Sequence, residues 1–273
     1  MLAVIRGAGD LASGIALRLW RSGFEVVMTD LPRPTTIRRT VAFSEAIPHG
    51  EQTVEDVTAR FASNAEEALT LLRQGLLPVL ADPQCLCRRA LKPDALVDAI
   101  LAKRNLGTRL TDAPVVVGVG PGFTAGVDCH AVVETMRGHT LGRALYTGSA
   151  LPNTNIPGLI GGFAGERVLR APADGVFKPL LQIGDTVSPG DAAGLVDGQP
   201  MLCTIGGVLR GLLAEGVPVR RGMKAGDVDP RGRKEYCFTS SDKALAVGGG
   251  VLEAILHLSG KSRFSSVNSL YDK

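Results

Sequence analysis

The segment Gly7-Ala8-Gly9-Asp10-Leu11-Ala12, of the form G-x-G-x-x-A, constrains this chain more than any other stretch. A short aliphatic run, Leu2 to Ile5, precedes it, and a helical stripe of Leu11, Ile15 and Leu19 follows. Gly23 punctuates the helix, and Phe24 to Met28 reads as a second strand closing on Thr29 and Asp30. Strand, glycine turn, helix and strand within about thirty residues make a βαβ unit. Gly7 permits the tight turn out of the strand, Gly9 lets a phosphate approach the backbone, and Ala12 lets helix and sheet pack closely. The first-turn amides and the helix dipole favour an anion there. Asp30 lies 21 residues after Gly9, where a carboxylate accepts hydrogen bonds from ribose hydroxyls. A nucleotide held by Gly7, Gly9, Ala12 and Asp30 is therefore expected; the competing reading is a scaffold of this shape without a ligand. Asp10 is an awkward member of the loop, because it either repels a pyrophosphate or caps the helix. Asp30 favours a free 2′-hydroxyl, while Arg33 leaves a 2′-phosphate open.

The alternation continues. Ala65 to Leu72 reads as helix, Leu76 to Leu80 as buried strand, Asp94 to Ala102 as helix begun by Pro93 and Asp94, and Val115 to Val119 as a fully apolar strand. Such alternation predicts an α/β fold with a Rossmann-like parallel sheet over residues 1–148. After Tyr146 the texture changes, and Ser149 to Gly165 reads as a Gly-, Pro- and Asn-rich linker. Residues 166–231 then carry an internal repeat with an offset of 32 residues. Gly175-Val176-Phe177-Lys178-Pro179-Leu180-Leu181 matches Gly207-Val208-Leu209-Arg210-Gly211-Leu212-Leu213, and Gly184, Val187, Gly190, Gly194, Val196 and Asp197 match Gly216, Val219, Gly222, Gly226, Val228 and Asp229. Two intertwined copies predict a small all-β barrel with approximate two-fold symmetry. Ile183-Gly184-Asp185-Thr186-Val187-Ser188-Pro189-Gly190 resembles the turn of biotinyl and lipoyl carrier domains, which implies a barrel-sandwich hybrid. The hairpin where those carriers display their lysine falls at Asp197-Gly198-Gln199-Pro200-Met201, which has none, and Lys224 is misplaced for that task. A swinging-arm role is therefore rejected. A C-terminal helix over 241–260, centred on Ala244 to Leu258, is expected to pack back on the first domain, with Gly248, Gly249 and Gly250 suited to close approach. Lys261 to Lys273 reads as a polar, frayed tail.

Charge and cysteine content narrow the classes. A net charge of +3, without basic runs interleaved with aromatics, argues against nucleic acid. The doublets Arg38-Arg39 and Arg88-Arg89 read as solvated surface. No apolar run reaches about 18 residues and no leader precedes the first strand, so a cytoplasmic protein without membrane contact and with reduced thiols is expected. Cys85 and Cys87 are spaced to share a metal, but further ligands are not evident nearby and no metal site is expected. Cys129, Cys203 and Cys237 read as small apolar residues.

A second glycine loop, Gly118 to Gly126, follows the Val115 to Val119 strand. Gly120, Gly122 and the Thr124 hydroxyl are candidates for an anion nest, with a plain turn as the alternative. Asp128, His130, Glu134, Arg137 and His139 come next and are expected to line the pocket. His130 and Glu134 are the candidate catalytic acid–base pair, against the reading of a solvated strand with a salt bridge.

Several stretches resemble the YqeB family, accessory proteins of selenium-dependent molybdenum hydroxylases. They are Arg6 to Gly14, Arg38-Arg39-Thr40-Val41-Ala42-Phe43-Ser44-Glu45-Ala46, Gly120 to Gly126, Asp128-Cys129-His130 and Glu134 to His139. The resemblance implies a part in maturing xanthine-dehydrogenase-like enzymes, with the hydroxylase or other maturation proteins as partners, and it supplies no catalytic residues. The glycine loops would then hold a nucleotide such as the dinucleotide form of the molybdenum cofactor. Two alternatives stand beside it: an NAD(P)-dependent oxidoreductase with His130 as proton donor, and a non-catalytic adaptor docking through the β-barrel. A homo-oligomer is left open.

Overall fold

Leu2–Arg6 (β1) is the hub of the first unit. The computed structural model describes residues 1–154 and 156–268, with side chains through residue 260. After β1 come Asp10–Arg21 (α1), Glu25–Thr29 (β2), Ala46–His49 (α2), Glu51–Val54 (β3), Val57–Ala62 (β4), Ala65–Arg73 (α3), Leu77–Leu80 (β5) and Arg88–Leu91 (α4). Ala95–Asp98 (β6), Val115–Val119 (β7), Thr124–Ala125 (β8), Ala131–Val133 (β9), Ala144–Leu145 (β10) and Gly148–Ser149 (β11) complete it. Nine strands form one sheet in the order β10-β9-β7-β6-β1-β2-β5-β4-β3. Its interior pairings are parallel, and β3 and β10 close the two edges antiparallel. The central strands are covered on both faces, which is why they read as continuous apolar runs rather than alternating ones.

The chain passes from β1 outward through β2 and later returns to place β6 on the other flank of β1. That reversal makes a topological switch point, and the crevice outside the carboxyl ends of β1 and β6 is where such sheets bind ligands.

One expected element is corrected. Asp94 to Ala102 does not form a helix: Ala95–Asp98 is β6, wholly buried and paired in parallel with β1 and β7. A short apolar run satisfies either periodicity, and two neighbouring ladders decided in favour of strand. The loop that follows turns sharply, with Leu101 (φ 57°) and Lys103 (φ 63°) in the left-handed region.

The second unit comprises Val168–Arg170 (β12), Gly175–Pro179 (β13), Thr186–Val187 (β14), Ala192–Val196 (β15), Gln199–Leu202 (β16), Gly207–Leu212 (β17), Pro218–Val219 (β18) and Lys224–Asp229 (β19). It forms two small antiparallel sheets, β12-β19-β17-β14 and β16-β15-β13-β18. Shifting by 32 residues carries β12, β13, β14 and β15 onto β16, β17, β18 and β19, so the two sheets have equivalent strand orders. The copies interlock: β13 pairs with β18 of the second copy, and β14 of the first pairs with β17. Gly175 (φ 151°) and Gly207 (φ 150°) adopt the same backbone conformation, which only glycine holds without strain. Phe177, Val196, Met201, Leu209, Leu212 and Val228 share a core between the sheets.

Asp242–Asn268 (α5) returns to the first unit. A Cβ at Gly14 would lie 2.5 Å from that of Ala244, and one at Gly248 would lie 2.8 Å from the Gly14 carbonyl oxygen. The two helices meet at this small-residue seam. The stretch read as a polar tail, 261–273, lies outside the residues whose side chains are described. Among the described residues no helix is long and apolar enough to cross a membrane.

Candidate functional site

The Gly7–Ala12 turn opens on a cleft of about 620 Å³ at the switch point. Gly7, Gly9, Thr29, Asp30, Ala99 and Ile100 contribute to its lining. Gly7 has φ 108°, and a Cβ there would lie 2.9 Å from the Ala99 carbonyl oxygen, so both the turn and the chain just after β6 demand glycine. Gly9 is the N-cap of α1, with no side-chain cap, and a Cβ on it would sit 3.2 Å from Thr36 Oγ1. Ala12 is fully buried.

Asp30 occupies the expected end of β2, but its carboxylate already has two partners. The Ala8 amide donates to Oδ2 at 2.7 Å and the Leu31 amide donates to Oδ1 at 2.7 Å. Burial pushes the Asp30 carboxyl upward, and these two amide hydrogen bonds oppose that shift. Each oxygen keeps a further lone pair, so Asp30 can both brace the glycine turn and accept from a hydroxyl.

Asp10 does not cap α1; it is the first residue of the helix. Its carboxylate lies 3.5 Å from Arg38 Nη1, so it is not an isolated negative charge in the loop. Arg38 corrects the surface reading of its doublet. It is 5% exposed, donates to the carbonyls of Tyr236 (3.0 Å) and Thr239 (3.4 Å), and is depressed chiefly by burial. Arg39 is half-buried, its Nε donating to the Leu212 carbonyl at 2.9 Å. Arg88 pairs with Asp112 at 2.9 Å, and Arg89 is exposed.

Asp10, Leu11, Ile37 and Lys224 also border a second cleft, of about 820 Å³, between the two units. At and behind its lining lies an ionic cluster built on two buried carboxylates, Asp227 and Asp229. Asp227 accepts from Arg167 and Arg210, Asp229 from Arg210 (3.0 Å) and Arg231 (2.6 Å), and Lys224 Nζ stands 3.7 Å from Asp227. Lys103 and Lys243 reach the same cleft from the loop after β6 and from the start of α5.

In the second glycine loop several of the expected donors have partners within the fold. The Thr124 amide donates to Asp128 Oδ2 and the Gly126 amide to the Cys129 carbonyl, both at 2.8 Å. The Gly120 amide donates to the Val133 carbonyl, and the Thr124 hydroxyl pairs with Ser149 Oγ. These donors are already engaged within the fold and are not open to an anion. Gly120 and Gly122 also answer close approach: a Cβ on Gly120 would lie 2.9 Å from Thr135 Oγ1, and one on Gly122 2.6 Å from the Arg104 backbone. Pro121 alone of this turn lines the second cleft.

The expected acid–base pair is not assembled. Glu134 is buried and accepts three amides, from Thr135 (2.7 Å), Met136 (2.6 Å) and Leu151 (2.8 Å). His130 sits before β9, level with Val116, and its Nδ1 accepts the Val116 amide at 2.9 Å. That is the amino end of the parallel strands, the opposite end from the clefts, and neither cleft includes His130 in its lining. Burial holds its imidazole below the usual range. Asp128 accepts from Thr124 and Asn105, and His139 is exposed and outside both linings. Arg137 does line the second cleft, paired with Asp242 at 2.8 and 2.9 Å.

Sequence reasoning missed Arg6 and Asp98. Arg6 Nη1 donates to Asp98 (3.1 Å), Thr108 (3.2 Å) and the Leu106 carbonyl (3.2 Å), and its Nε donates to the Pro83 carbonyl. Asp98 is fully buried at the carboxyl end of β6. A charged residue ending each of two apolar runs was the available signal, obscured at Asp98 by the helix assignment. Among the described residues no group of His, Cys, Asp and Glu is arranged to hold a metal ion.

Glycine turn, switch point and adjoining clefts together define an α/β protein with a ligand-sized opening at the carboxyl ends of its central parallel strands. Most of the chain is similar to one half of a YqeB protein. It is 52% identical over 257 residues to "Uncharacterized protein YqeB" of Escherichia coli (strain K12), a match covering 94% of this chain and 48% of that protein. It thus spans about half the length of this relative. No family model matches. Among solved structures, a succinylglutamate desuccinylase/aspartoacylase from Rhodobacter sphaeroides aligns with a TM-score of 0.21 at 28% identity, over 23% of this chain and 22% of that one. An aspartoacylase family protein from Mesorhizobium loti aligns with a TM-score of 0.25 at 12% identity, over 83% of each chain. At such scores neither likeness informs fold or chemistry.

Proposed function

We propose that this protein binds a nucleotide or dinucleotide at the Gly7–Ala12 turn and serves as a cytoplasmic accessory factor in maturing a selenium-dependent, xanthine-dehydrogenase-like molybdenum hydroxylase. The observation that carries the binding reading is the open cleft of about 620 Å³ at the β1/β6 switch point, bordered by Gly7, Gly9 and Asp30. Its size suits a small-molecule ligand, and the first turn of α1 points its amide dipoles toward the opening. The maturation role rests on the family resemblance, and the dinucleotide form of the molybdenum cofactor is the ligand it favours. We read the second unit as a barrel-sandwich hybrid of the biotinyl and lipoyl type. The interlocked two-fold sheets support that reading, and the lysine-free Asp197-Gly198 hairpin argues for a structural rather than a carrier role.

The NAD(P) oxidoreductase reading is weaker. Its proton donor, His130, stands at the far end of the sheet from the cleft. Calorimetry on the full chain, with native mass spectrometry of freshly purified protein, tests the binding reading. A nucleotide should co-purify or titrate in, and Gly9→Val should abolish binding, because the new side chain would fill the phosphate approach beside Thr36. Equal binding by the variant, or no nucleotide binding by the parent, would sink it.

A further inference from the structure

The second cleft carries more positive charge than its own carboxylates neutralise. Eight basic side chains and two carboxylates line it. Including Asp229 and Asp242 behind the lining, with Arg231 that holds Asp229, nine cations face four carboxylates. The excess is not dispersed over a convex surface. Arg38, Arg167 and Arg210 are each less than one-tenth exposed, and the Nε groups of Arg38 and Arg210 are buried without a hydrogen-bond partner. Buried guanidinium donors left unpaired are costly, and concentrated like charge in a recess focuses field on an incoming anion.

Three lysines from separate parts of the chain converge on this cleft: Lys103, Lys224 and Lys243. Lys103 and Lys243 form no ion pair among the described residues, and Lys224 has only the longer contact to Asp227, which two arginines already hold. Burial depresses all three ammonium groups, and at Lys243 the neighbouring Lys103 and Arg137 add to the depression. An ammonium in that situation gains most from an anion brought in from outside.

We propose that the second cleft binds a phosphate-bearing polyanion through Lys103, Lys224 and Lys243, and that this group is the distal end of the ligand whose nucleoside part occupies the glycine-turn cleft. The first half of the proposal is independent of the nucleotide reading; the second half rests on it. The two clefts share Asp10, Leu11, Ile37 and Lys224, so one extended molecule can cross between them. Asp10, held by Arg38 at the crossing, sets where the negative charge of that molecule cannot lie. The ligand class that fits is a nucleotide extended beyond its first phosphate by a second anionic group.

Titration of the full-length chain with inorganic pyrophosphate, and separately with adenosine and ADP, tests both halves. The parent should bind pyrophosphate, less tightly as salt rises. Lys103→Gln/Lys243→Gln should weaken it by about ten-fold or more, the scale of losing charge-assisted hydrogen bonds. Lys103→Arg/Lys243→Arg should retain binding. The glutamine pair should weaken ADP but not adenosine. Absence of pyrophosphate binding, or binding indifferent to the glutamine pair, would overturn the cleft assignment, while ADP binding sensitive to Gly9→Val would leave the nucleotide reading standing. Pyrophosphate binding as expected, without adenosine or ADP binding, would overturn the link between the clefts and the nucleotide reading, and leave the polyanion site.

Discussion

Three adjacent glycines in α5 should respond to the same substitution in opposite directions. In a free helix, replacing glycine by alanine stabilises by about 1 kcal/mol. At Gly249 a Cβ would meet nothing within 4 Å. Gly249→Ala should therefore keep the full gain of about 1 kcal/mol, a rise in melting temperature of about 2–4 °C for a chain of this size. At Gly248 the new carbon would lie 2.8 Å from the Gly14 carbonyl oxygen and 2.8 Å from Arg18 Cγ. The arginine stem can swing aside but the carbonyl belongs to α1 and cannot. Overpacking of that kind costs about 1–3 kcal/mol, so Gly248→Ala should come out neutral to destabilising by about 2 kcal/mol after the propensity gain. At Gly250 the added carbon would overlap the Gly142 carbonyl oxygen outright, and Gly142 is itself pinned, with φ 80° and the Ala246 carbonyl oxygen 2.5 Å from its own Cβ position. Gly250→Ala should destabilise by about 3 kcal/mol or more, because helix and loop must part. Scanning calorimetry and urea melts of the three single variants read the series directly. A uniform gain across all three, or a neutral Gly250→Ala, would refute the seating of α5 on α1 and the Gly142 turn.

Asp98→Asn should destabilise by about 3–5 kcal/mol, since it leaves the Arg6 guanidinium buried against an uncharged partner; urea denaturation reads the loss, and a change under about 1 kcal/mol would refute the pairing. Arg137 holds the Asp242 carboxyl at about 2, below its ordinary 3.8. A depressed folded value means the stabilisation is present above pH 3.8 and is lost as pH falls from there through about 2. Asp242→Asn should thus lower thermal stability at neutral pH by no more than about 1 kcal/mol, the pair being exposed, and the difference should shrink as pH falls through about 2 and vanish well below it.

The βαβ turn and the 32-residue repeat were legible because both are written in glycines whose backbone angles no other residue holds cheaply. Gly7, Gly175 and Gly207 show this at φ 108°, 151° and 150°. Strand β6 was not legible, because four apolar residues obey helix and strand periods alike and only its neighbours β1 and β7 settle the matter. The second loop was only partly legible, for a different reason. Its glycines and hydroxyl have the composition of an anion nest, but whether an amide is free depends on partners the local sequence does not name. Asp128 and the Cys129 carbonyl take the donors of Thr124 and Gly126. Glu134 likewise looks like an acid awaiting a substrate until its three backbone donors are counted.

Arg38 and Arg39 carry the consequence of that lesson furthest. As a doublet they resemble solvated surface, yet residues 36–40 stitch the two units together. The Leu212 amide donates to the Ile37 carbonyl at 2.7 Å, Arg39 Nε donates to the Leu212 carbonyl, and the Thr40 hydroxyl donates to the Cys237 carbonyl at 2.5 Å. The same segment reaches the glycine turn, where the Ser44 amide donates to the Ala8 carbonyl and a Cβ on Gly9 would press on Thr36. One strap therefore borders the glycine-turn cleft, supplies Arg38 to the basic cleft and fixes the β unit against the parallel sheet. Ile37 lines both clefts while its carbonyl accepts the Leu212 amide, so the strap joins the two linings to the contact between the units.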